Sequence, residues 1–577
     1  MAPERKCLGA RYGFFIIFNH MKNLQPYLLL LLTGTFLFSC SQPSPYNPEL
    51  TSADSLALKQ AAINGQLVNE GLERSRKFVT DWLAHADSSS GLIPRNLNES
   101  KDIWNSWDAA ADNYPFMVLT AALTDDSLFR GRMLDMLHTE TQLTSRIDRL
   151  PDTYSFSKQG FDKPEPDLNS IMFGSSEYIK DGLLPLTEWL GASPWSERMI
   201  GILDDMWKYA PVETPYGNIV STNVEVNGEM LQVLSRVYWM TGDQKYLDWA
   251  IRLGDYYLLG EHHPTRNFES LRLRDHGCEI VSGLCELYAT VNAADPAKKK
   301  VYEPHIHEML GRILEVGRND DGLFYNSVNP QTGEVLSAGT ADNFGYNLNG
   351  FYTVYQIDST DTYREATLKA LNALSGNYRS FDWETGSADG YADAIEGALN
   401  LYNREPVASS AEWIDSEMQV MCSMQDSSHR ANTEQWRLSG VIEGWHGDGN
   451  FARTTIMYCL WKTQGMTVAP WRADMRPGVV RNGDKLLISV TVDADWEGVL
   501  KFDVARHQAN MHMPWDWPRI NQFPEWFTAE EGMQYKWINL EDSGEKAFSG
   551  KQLSDGVNVS LKKGVNQFRL KQAADQD

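Results

Sequence analysis

The sequence lacks the features that mark membrane-spanning, disulfide-stabilised and nucleic-acid-binding proteins. Its longest apolar stretch, residues 27–38, is too short for a comfortable membrane span and has the length of a signal-peptide core. The 577 residues include six cysteines and no CxxC pair, so we expect buried free thiols and neither a disulfide framework nor a zinc site. The formal net charge of −25 argues against nucleic acid as a partner.

The N-terminal segment has the pattern of an export signal. From Met21 a single lysine precedes the apolar stretch, and small residues then lead to Cys40. Residues 37–40, LFSC, resemble the lipobox of bacterial lipoproteins, in which the cysteine is lipidated. We therefore expect a lipoprotein signal over residues 1–40, with Cys40 anchored to a membrane in the periplasm or at the cell surface. A plain secretory signal is the alternative, and residues 41–55 form a Pro/Ser-rich tether in either case.

The body of the chain repeats a helix, a short turn and a second helix rich in small residues. Residues 233–258, VLSRVYWMTGDQKYLDWAIRLGDYYL, are the clearest copy. This alternation predicts an all-α fold over residues 56–468, an (α/α) toroid of six or seven hairpins. A linear solenoid is the alternative. Seven inner helices are predicted to start near Trp107, Ser170, Val224, Gly277, Asn343, Gly390 and Gly447.

After residue 468 the pattern changes to alternation at period two, as in residues 484–505, DKLLISVTVDADWEGVLKFDVA. This pattern predicts a small C-terminal β domain over residues 469–577. Residues 507–527 are rich in Trp and Pro, are too irregular for a helix or strand, and are expected to form a covering loop.

Polar residues recur where the predicted inner helices begin. In a closed toroid these ends converge on one mouth, and helix N-termini there favour anionic ligands. Acidic, aromatic and a few cationic side chains around a cavity are a sugar-binding composition. The candidates are Trp107, Asp108, Asp112, Asn223, Glu225, Glu229, Arg272, Arg274, Asp275, His276, Glu279, Asp342, Asn343, Tyr346, Asp389, Asp393, Glu443, Trp445, His446, Asp448 and Arg453.

Two carboxyl groups of this ring are the predicted catalytic pair. Hydrolysis of a glycosidic bond needs one protonated carboxyl group as acid and a second carboxylate as base or nucleophile. Glu225 and Asp275 lie at adjacent helix entries among polar residues, although helix capping is an alternative role for each. Arg272 and Arg274, with His276, could clamp a substrate carboxylate, and internal salt bridging is the alternative there.

The predicted substrate-binding set consists of aromatic, acidic and basic side chains from several helix entries. It comprises Trp107, Asp108, Arg272, Arg274, His276, Asp342, Tyr346, Trp445 and His446.

Three segments carry a resemblance to a known group of enzymes: EVNGEMLQVLSRVYWMTGDQKYLDWA, LRLRDHGCEIVSGLCELY and HGDGNFARTTIMYCLW. In these segments the chain resembles the (α/α)-barrel glycoside hydrolases that act on uronic acids, such as the unsaturated glucuronyl hydrolases. It is more closely similar to the bacterial β-glucuronidases of glycoside hydrolase family 154. The resemblance implies an exo-enzyme that removes a terminal uronic acid from plant or algal polysaccharide fragments, with no cofactor. A homodimer is compatible with the sequence, which does not fix the oligomeric state.

Other functions stay open at the level of the sequence. A polysaccharide lyase would use Tyr346 or His276 as a base, with Asn343 neutralising the substrate carboxylate. A sugar-binding lipoprotein without catalysis and a sugar isomerase are further alternatives.

Overall fold

Two kinds of helix alternate along the chain, and their side chains decide which kind forms the inner wall. The helix Glu279–Ala294 is buried on all sides, whereas Gln244–Gly254 buries one face and exposes the other. A helix that is apolar or small all round must be enclosed by protein, and an amphipathic helix covers it from outside. The computed structural model describes residues 50–426, 441–445 and 447–573.

The outer helices cover the ring, and the inner helices are numbered 1 to 7 in chain order. The outer helices are Ser52–Ala84, Leu134–Thr144, Pro194–Lys208, Gln244–Gly254, Pro296–Val316, Asp361–Asn377 and Ala408–Asp426. The inner helices are Ser106–Asn113 with Tyr114–Thr124, Leu168–Glu177 with Tyr178–Leu183 and Leu184–Leu190, Val224–Thr241, Glu279–Ala294, Phe344–Asp358, Ala388–Arg404 and Gly447–Thr463. Short helical segments are Asp126–Leu128, Phe129–Met133, Asp255–Leu259, Asp275–Cys278, Trp383–Thr385, Arg506–Ala509 and Gly550–Asp555.

The ring of inner helices is closed. Each inner helix packs against the next, and inner helix 7 packs against inner helix 1. The predicted toroid is therefore confirmed with seven hairpins in the described residues, and the linear solenoid is wrong. The predicted starts of the inner helices are also confirmed, because each lies within two residues of an observed start.

The C-terminal part consists of two small antiparallel sheets. One has the strand order Met475–Asn482, Lys485–Val492, Gly564–Gln572, Gln534–Asn539 and Glu545–Ser549. The other has the order Val557–Leu561, Trp496–Lys501 and Thr467–Ala469. The predicted β structure is confirmed, although its first strand begins two residues before position 469.

Short strands lie in the loops of the helical ring. They are Ile103–Trp104, Tyr154–Ser155 and Gly160–Phe161 in one sheet, Ser145–Ile147 and Leu150–Pro151 in a second, and Leu271–Arg272, Tyr325–Val328 and Val335–Thr340 in a third. The third sheet holds the segment before inner helix 4, which carries several of the predicted site residues.

The first outer helix joins the helical ring to the larger sheet. It begins at Ser52, inside the segment predicted as a tether, where Thr51 caps it. Its Gly65 lies so close to the strand Met475–Asn482 that a Cβ atom there would sit 2.4 Å from the carbonyl oxygen of Arg476. The absence of a side chain thus lets helix and sheet meet at backbone distance.

Residues 510–526, which we call the plug loop, cover the C-terminal ends of the inner helices. The Trp517 indole donates a hydrogen bond to Glu286 of inner helix 4 at 3.0 Å. The Asn510 amide donates to the carbonyl of Glu188 in inner helix 2 at 2.8 Å. The irregular Trp- and Pro-rich segment therefore closes one end of the ring, and the helix N-termini remain at the other.

Charged side chains beneath the plug loop are paired inside the ring. Arg519 of the plug loop contacts the Glu188 carboxylate at 3.0 Å, and the two side chains are 2% and 5% exposed. Arg236 contacts Glu286 at 2.6 Å nearby. Among the described residues, no helix combines the length and apolar character that crossing a membrane requires.

Replacing Arg519 with alanine should lower the free energy of unfolding by about 3–5 kcal/mol, because it leaves the Glu188 carboxylate buried with one cation fewer. Arg130→Ala is the control, since its pair with Asp126 is 73% exposed on both sides and should contribute about 0.3–0.5 kcal/mol. Urea unfolding followed by circular dichroism measures both. Equal stability of the two variants would contradict the structural importance of the plug loop.

Candidate functional site

A cavity of about 140 Å³ opens at the N-terminal ends of the inner helices. Its lining comes from six inner helices, from the segment before inner helix 4 and from the plug loop. The lining residues are Trp107, Asp108, Asp112, Phe173, Glu177, Lys180, Asp181, Asp275, His276, Glu279, Asn343, Tyr346, Asp389, Asp393, Asn450, Arg453 and Asn521. Eight of these side chains are acidic and three are basic, so the cavity suits a ligand rich in hydrogen-bond donors.

The segment before inner helix 4 places three predicted site residues in one charged chain. His276 Nδ1 lies 2.6 Å from Glu225 Oε1, and its Nε2 lies 3.1 Å from Asp275 Oδ1. Asp275 is the first residue of the short helix Asp275–Cys278 and not its cap, which is Arg274, and its carboxylate contacts Arg272 and His276. Asn223 is the cap of inner helix 3 instead, and its side-chain oxygen accepts from the Glu225 amide at 2.9 Å.

Asp275 also has an unusual backbone conformation. Its φ of 48° is in the left-handed region, which costs a non-glycine residue energy. The Asp275 amide donates to the Asn343 side chain, which ties the strained residue to inner helix 5. Such strain is typical of positions held for a functional reason.

His276 is held as an imidazolium by its neighbours. Burial works to lower its pKa, but the hydrogen bond to Glu225 and the charges of Asp275, Glu225 and Glu229 raise it to about 10. Its side chain is still 43% exposed, so the positive charge is available at the cavity rim. The two predicted catalytic carboxylates therefore share one cation instead of facing each other across open space.

Inner helix 2 supplies two carboxyl groups in opposite electrostatic environments. Burial and the charges of Glu229, Asp181 and Glu225 raise the pKa of Glu177 well above its ordinary value. Burial also works to raise the pKa of Asp181, but the charge of Lys180 and the hydrogen bonds from Glu177 and Lys180 bring it below its ordinary value. Lys180 contacts Asp181 and Glu279 at 2.7 Å each. Contrasting carboxyl groups in one cavity are typical of acid–base catalysis.

Inner helices 5, 6 and 7 form the opposite wall. Asp393 accepts hydrogen bonds from the Tyr346 hydroxyl at 2.8 Å, from the Asn343 amide at 2.8 Å and from Arg453 at 2.5 Å. Arg453 also contacts Glu396, whose pKa burial raises to about 7 despite the guanidinium. These contacts hold Asp393 as a fixed acceptor at the cavity surface.

The two arginines of the predicted carboxylate clamp point to different partners. Arg272 is paired with Asp275 in its own segment, and Arg274 contacts Glu384 at 2.9 Å. Neither lines the cavity, although Arg272 lines a more open depression beside it together with Glu225, Phe268 and His276. Internal salt bridging, the alternative stated from the sequence, describes Arg274, whereas Arg272 keeps 48% of its side chain exposed beside its pair with Asp275.

The other predicted substrate-binding residues are divided between the cavity and its supports. Trp107 lines the cavity and meets Phe173 edge to face at 6.3 Å. Asp108 lines it too but accepts from Arg95, which lies over the Trp445 ring at 5.3 Å. Asp342 is buried behind the lining, where burial and the charge of Asp393 raise its pKa to about 8.

Three further candidates lie at or just before inner helix 7, and the two that the structure describes hold backbone amides. Asp448 accepts from the backbone amides of residues 442–444 and from the Trp82 indole, so it anchors the entry loop. Glu443 accepts from the Ala388 amide at 3.2 Å. His446 and the predicted lipidation site Cys40 lie outside the described residues.

Several lining residues were not candidates from the sequence. Glu177, Lys180 and Asp181 lie about two and a half to three and a half turns inside inner helix 2, beyond the helix entry where polar residues were sought. Their spacing of three and four residues on one helix face was the available signal. Asn521 comes from the plug loop, and no local pattern connects that loop with the cavity.

One cluster of three glutamates and a histidine has its side chains about as close together as the ligands of a metal site. A ligand atom from each of Glu177, Glu225, Glu229 and His276 lies within 4.8 Å of the others. Both ring nitrogens of His276 are directed at carboxylates, however, which suits a protonated imidazole as the counter-charge. We assign no metal to this group.

No protein-family model and no curated protein matches the chain. Among solved structures, it is similar to a family 76 glycoside hydrolase (mannosidase) from Bacteroides thetaiotaomicron, at 13% identity over 68% of this chain and 98% of that chain, with a TM-score of 0.37. It is similar to the unsaturated glucuronyl hydrolase of Bacillus sp. at 13% identity over 51% of this chain and 86% of that chain, with a TM-score of 0.34. A D-mannose isomerase is 11% identical over 56% of this chain and 87% of that chain, with a TM-score of 0.37. No residue role rests on these likenesses.

The charge on His276 should depend on Glu225. In Glu225→Gln the pKa of His276 should fall from about 10 toward its ordinary value, because the hydrogen-bonding carboxylate is gone. Titration of the imidazole resonances by NMR measures this pKa, with a His276→Asn spectrum to assign the signal. The chemical shifts of His507, which pairs with Glu525 elsewhere, should be the same in the wild type and in Glu225→Gln. An unchanged His276 titration would contradict the assigned contact.

Proposed function

We propose that the chain hydrolyses a glycosidic bond of a glycan bound in the cavity at the N-terminal mouth of the ring. The observation that carries this proposal is a pair of carboxyl groups in contrasting environments on opposing walls. Glu177 belongs to inner helix 2, and Asp393 belongs to inner helix 6, which lies across a ring of seven. Glycoside hydrolysis requires such groups on either side of the scissile bond.

Glu177 is the general acid in this proposal. The residue is 3% exposed and lines the cavity, and burial together with the charges of Glu229, Asp181 and Glu225 raises its pKa, which favours the protonated form that a general acid needs. The carboxyl group can then give its proton to the leaving oxygen of the glycosidic bond. Lys180 and Asp181 beside it keep the local charge balanced as the proton leaves.

Asp393 is the second carboxylate. Hydrogen bonds from Tyr346, Asn343 and Arg453 fix its orientation. It would activate a water molecule or attack the anomeric carbon. The catalytic roles predicted for Glu225 and Asp275 remain the competing assignment, in which the same bond would lie nearer to His276.

Aromatic side chains complete the site for a sugar. Trp107 and Phe173 are partly exposed at the cavity and offer apolar surface to a sugar ring. The acidic lining then accepts hydrogen bonds from hydroxyl groups. A lyase is less well supported, because burial raises the pKa of Tyr346 well above its ordinary value, which is the wrong direction for a catalytic base.

Removal of a terminal uronic acid, in the manner of a β-glucuronidase, is the finer form of the proposal. The acidic cavity leaves few places for a substrate carboxylate, because Lys180 and Arg453 in its lining are buried in ion pairs. The more exposed cations at its edge are His276 and Arg272, which both line the open depression. A uronate carboxylate would bind there, with the ring in the cavity. Anchorage as a lipoprotein in the periplasm or at the cell surface, and a homodimer, remain part of this proposal without further support.

Glu177→Gln and Asp393→Asn should each lower kcat on 4-nitrophenyl β-D-glucuronide or on uronate-capped oligosaccharides by about 10²–10⁴-fold, since each removes one of the two reacting groups. Glu225→Gln and Asp275→Asn are the matched carboxyl-to-amide controls and should lower kcat about tenfold. The plot of kcat against pH should also lose its alkaline limb in Glu177→Gln, because the wild-type limb reports loss of the proton from Glu177, whose pKa is raised. Full activity of both main variants, with loss in the two controls, would move catalysis to Glu225 and Asp275.

Recognition of a uronate should depend on Arg272. Arg272→Ala should raise KM for the glucuronide about tenfold and leave KM for the matching glucoside unchanged, because only the former presents a carboxylate. Arg274→Ala is the control, since its guanidinium is engaged by Glu384 and it lines neither the cavity nor the open depression. Equal effects of Arg272→Ala on both substrates would contradict uronate recognition at this position.

A further inference from the structure

A large groove lies between the helical ring and the C-terminal sheets, at the opposite end of the ring from the cavity. Its ring side includes Thr124 and Trp189, at the C-terminal ends of inner helices 1 and 2. Its sheet side includes residues of the strands Thr467–Ala469 and Trp496–Lys501. Among the described residues, the groove shares no lining side chain with the cavity or the open depression, so it is a separate surface.

The groove has room for several linked sugar units. Its volume is about 1320 Å³, whereas the cavity has about 140 Å³. Sites for single small molecules usually have about 300–1,000 Å³. An extended ligand therefore fits the groove better than one monosaccharide does.

The charges of the groove differ from those of the cavity. Five of its lining side chains are basic and four are acidic, in a chain with 52 lysines and arginines against 77 acidic residues. The basic residues are Arg76, Arg130, Arg472, Lys501 and Arg506, and the acidic residues are Asp125, Asp126, Asp503 and Asp555. The cavity lining has three basic and eight acidic side chains. A polyanion is therefore repelled less at the groove than at the cavity.

Two of these cations are available to a ligand. The Arg130 side chain is 73% exposed, and its pair with the equally exposed Asp126 is weak because water screens it. Lys501 is exposed at the end of its strand and has no ion-pair partner among the described residues. Both side chains can therefore turn to a carboxylate in the groove.

Two aromatic rings of the groove are held in place by their neighbours. Phe129 stacks on Trp195 with the ring centroids 5.4 Å apart, and the Arg506 guanidinium lies 4.5 Å from the centroid of the Trp189 ring. Phe129 and Trp189 both stay partly exposed. Fixed aromatic surface binds the apolar side of a sugar ring with little further loss of side-chain entropy. Together with the free cations, these rings suit a chain of acidic sugars.

We propose that the groove binds internal sugar units of a polyuronate chain, at a site separate from the cavity. Arg130 and Lys501 contact its carboxylates, and Phe129 and Trp189 contact its sugar rings. The site holds the protein on the polysaccharide and takes no part in bond cleavage. The choice of a uronate ligand rests on the proposed function, whereas binding in the groove requires no hydrolysis.

The test measures binding of a long oligogalacturonate to residues 41–577 by isothermal titration calorimetry at about 0.15 M salt, where distant charges are screened. The α-linkages of this ligand are not those of a β-glucuronide, so binding is separated from turnover. Two further ligands separate the effect of charge from that of the sugar. The carboxyl-reduced oligomer has the rings without the charge, and polyglutamate has the carboxylates without the rings.

The groove variant is Arg130→Glu with Lys501→Glu. The matched control is Lys562→Glu with Lys571→Glu, which changes the net charge by the same amount. The side chains of Lys562 and Lys571 are 77% and 47% exposed and lie outside the groove lining. A loss of binding that came from net charge alone would therefore be equal in the two double variants.

The groove variant should bind the oligogalacturonate at least about tenfold more weakly than the wild type, because the new carboxylates repel the ligand. The control should stay within about twofold of the wild type, because salt screens charges more than about 8 Å away. The wild type should bind the carboxyl-reduced oligomer and polyglutamate about tenfold more weakly than the oligogalacturonate. Turnover of 4-nitrophenyl β-D-glucuronide should be unchanged in the groove variant, which also shows that it is folded.

Equal losses in the two double variants, equal binding of polyglutamate and oligogalacturonate, or no binding by the wild type would overturn the proposal. The two proposals can fail independently. Turnover by the wild type without groove-dependent binding would reject the groove alone. Groove-dependent binding without any turnover would reject the hydrolase alone.

Discussion

The contact between inner helix 7 and inner helix 1 is the constraint on which the site depends, because it turns a row of hairpins into a ring. Gly449 makes that contact possible, since a Cβ atom there would lie 2.0 Å from the carbonyl oxygen of Asp112. Gly228 and Gly283 allow the same close approach between inner helices 3 and 4. Tight packing at these positions brings the N-terminal ends of distant helices to one cavity.

Once the ring is closed, the burial of charge explains much of the chemistry of the site. A closed ring shields Glu177 and Glu229 from water, and this raises the pKa of both carboxyl groups well above the ordinary value. Lys180, His276 and Arg453 supply the compensating positive charge from three different directions. The plug loop lies at the far end of the ring, and the cavity opens at the mouth where the helices begin.

The sequence predicted the fold well because hairpin repeats and helix starts are local patterns. The polar entries at Asp275, Asn343 and Asp393 could be placed at one mouth by the same reasoning. The sequence could not show which of these residues is catalytic, because the partner side chain that decides each role lies far along the chain. Glu177 acquires its raised pKa from burial and from charges that include Glu229 and Glu225 of inner helix 3, and Asn521 reaches the cavity from the β domain. Such long-range contacts form only when the ring closes, so no periodic pattern in the sequence predicts them.

The measurement that tests the central claim most directly is proton NMR of the reaction of residues 41–577 with uronate-terminated oligosaccharides. It separates the reaction classes in one spectrum. The account predicts new anomeric signals from a released monosaccharide and a shortened glycan, with no vinylic proton. A vinylic signal would identify elimination, a ketose signal would identify isomerisation, and either result would contradict hydrolysis in this cavity.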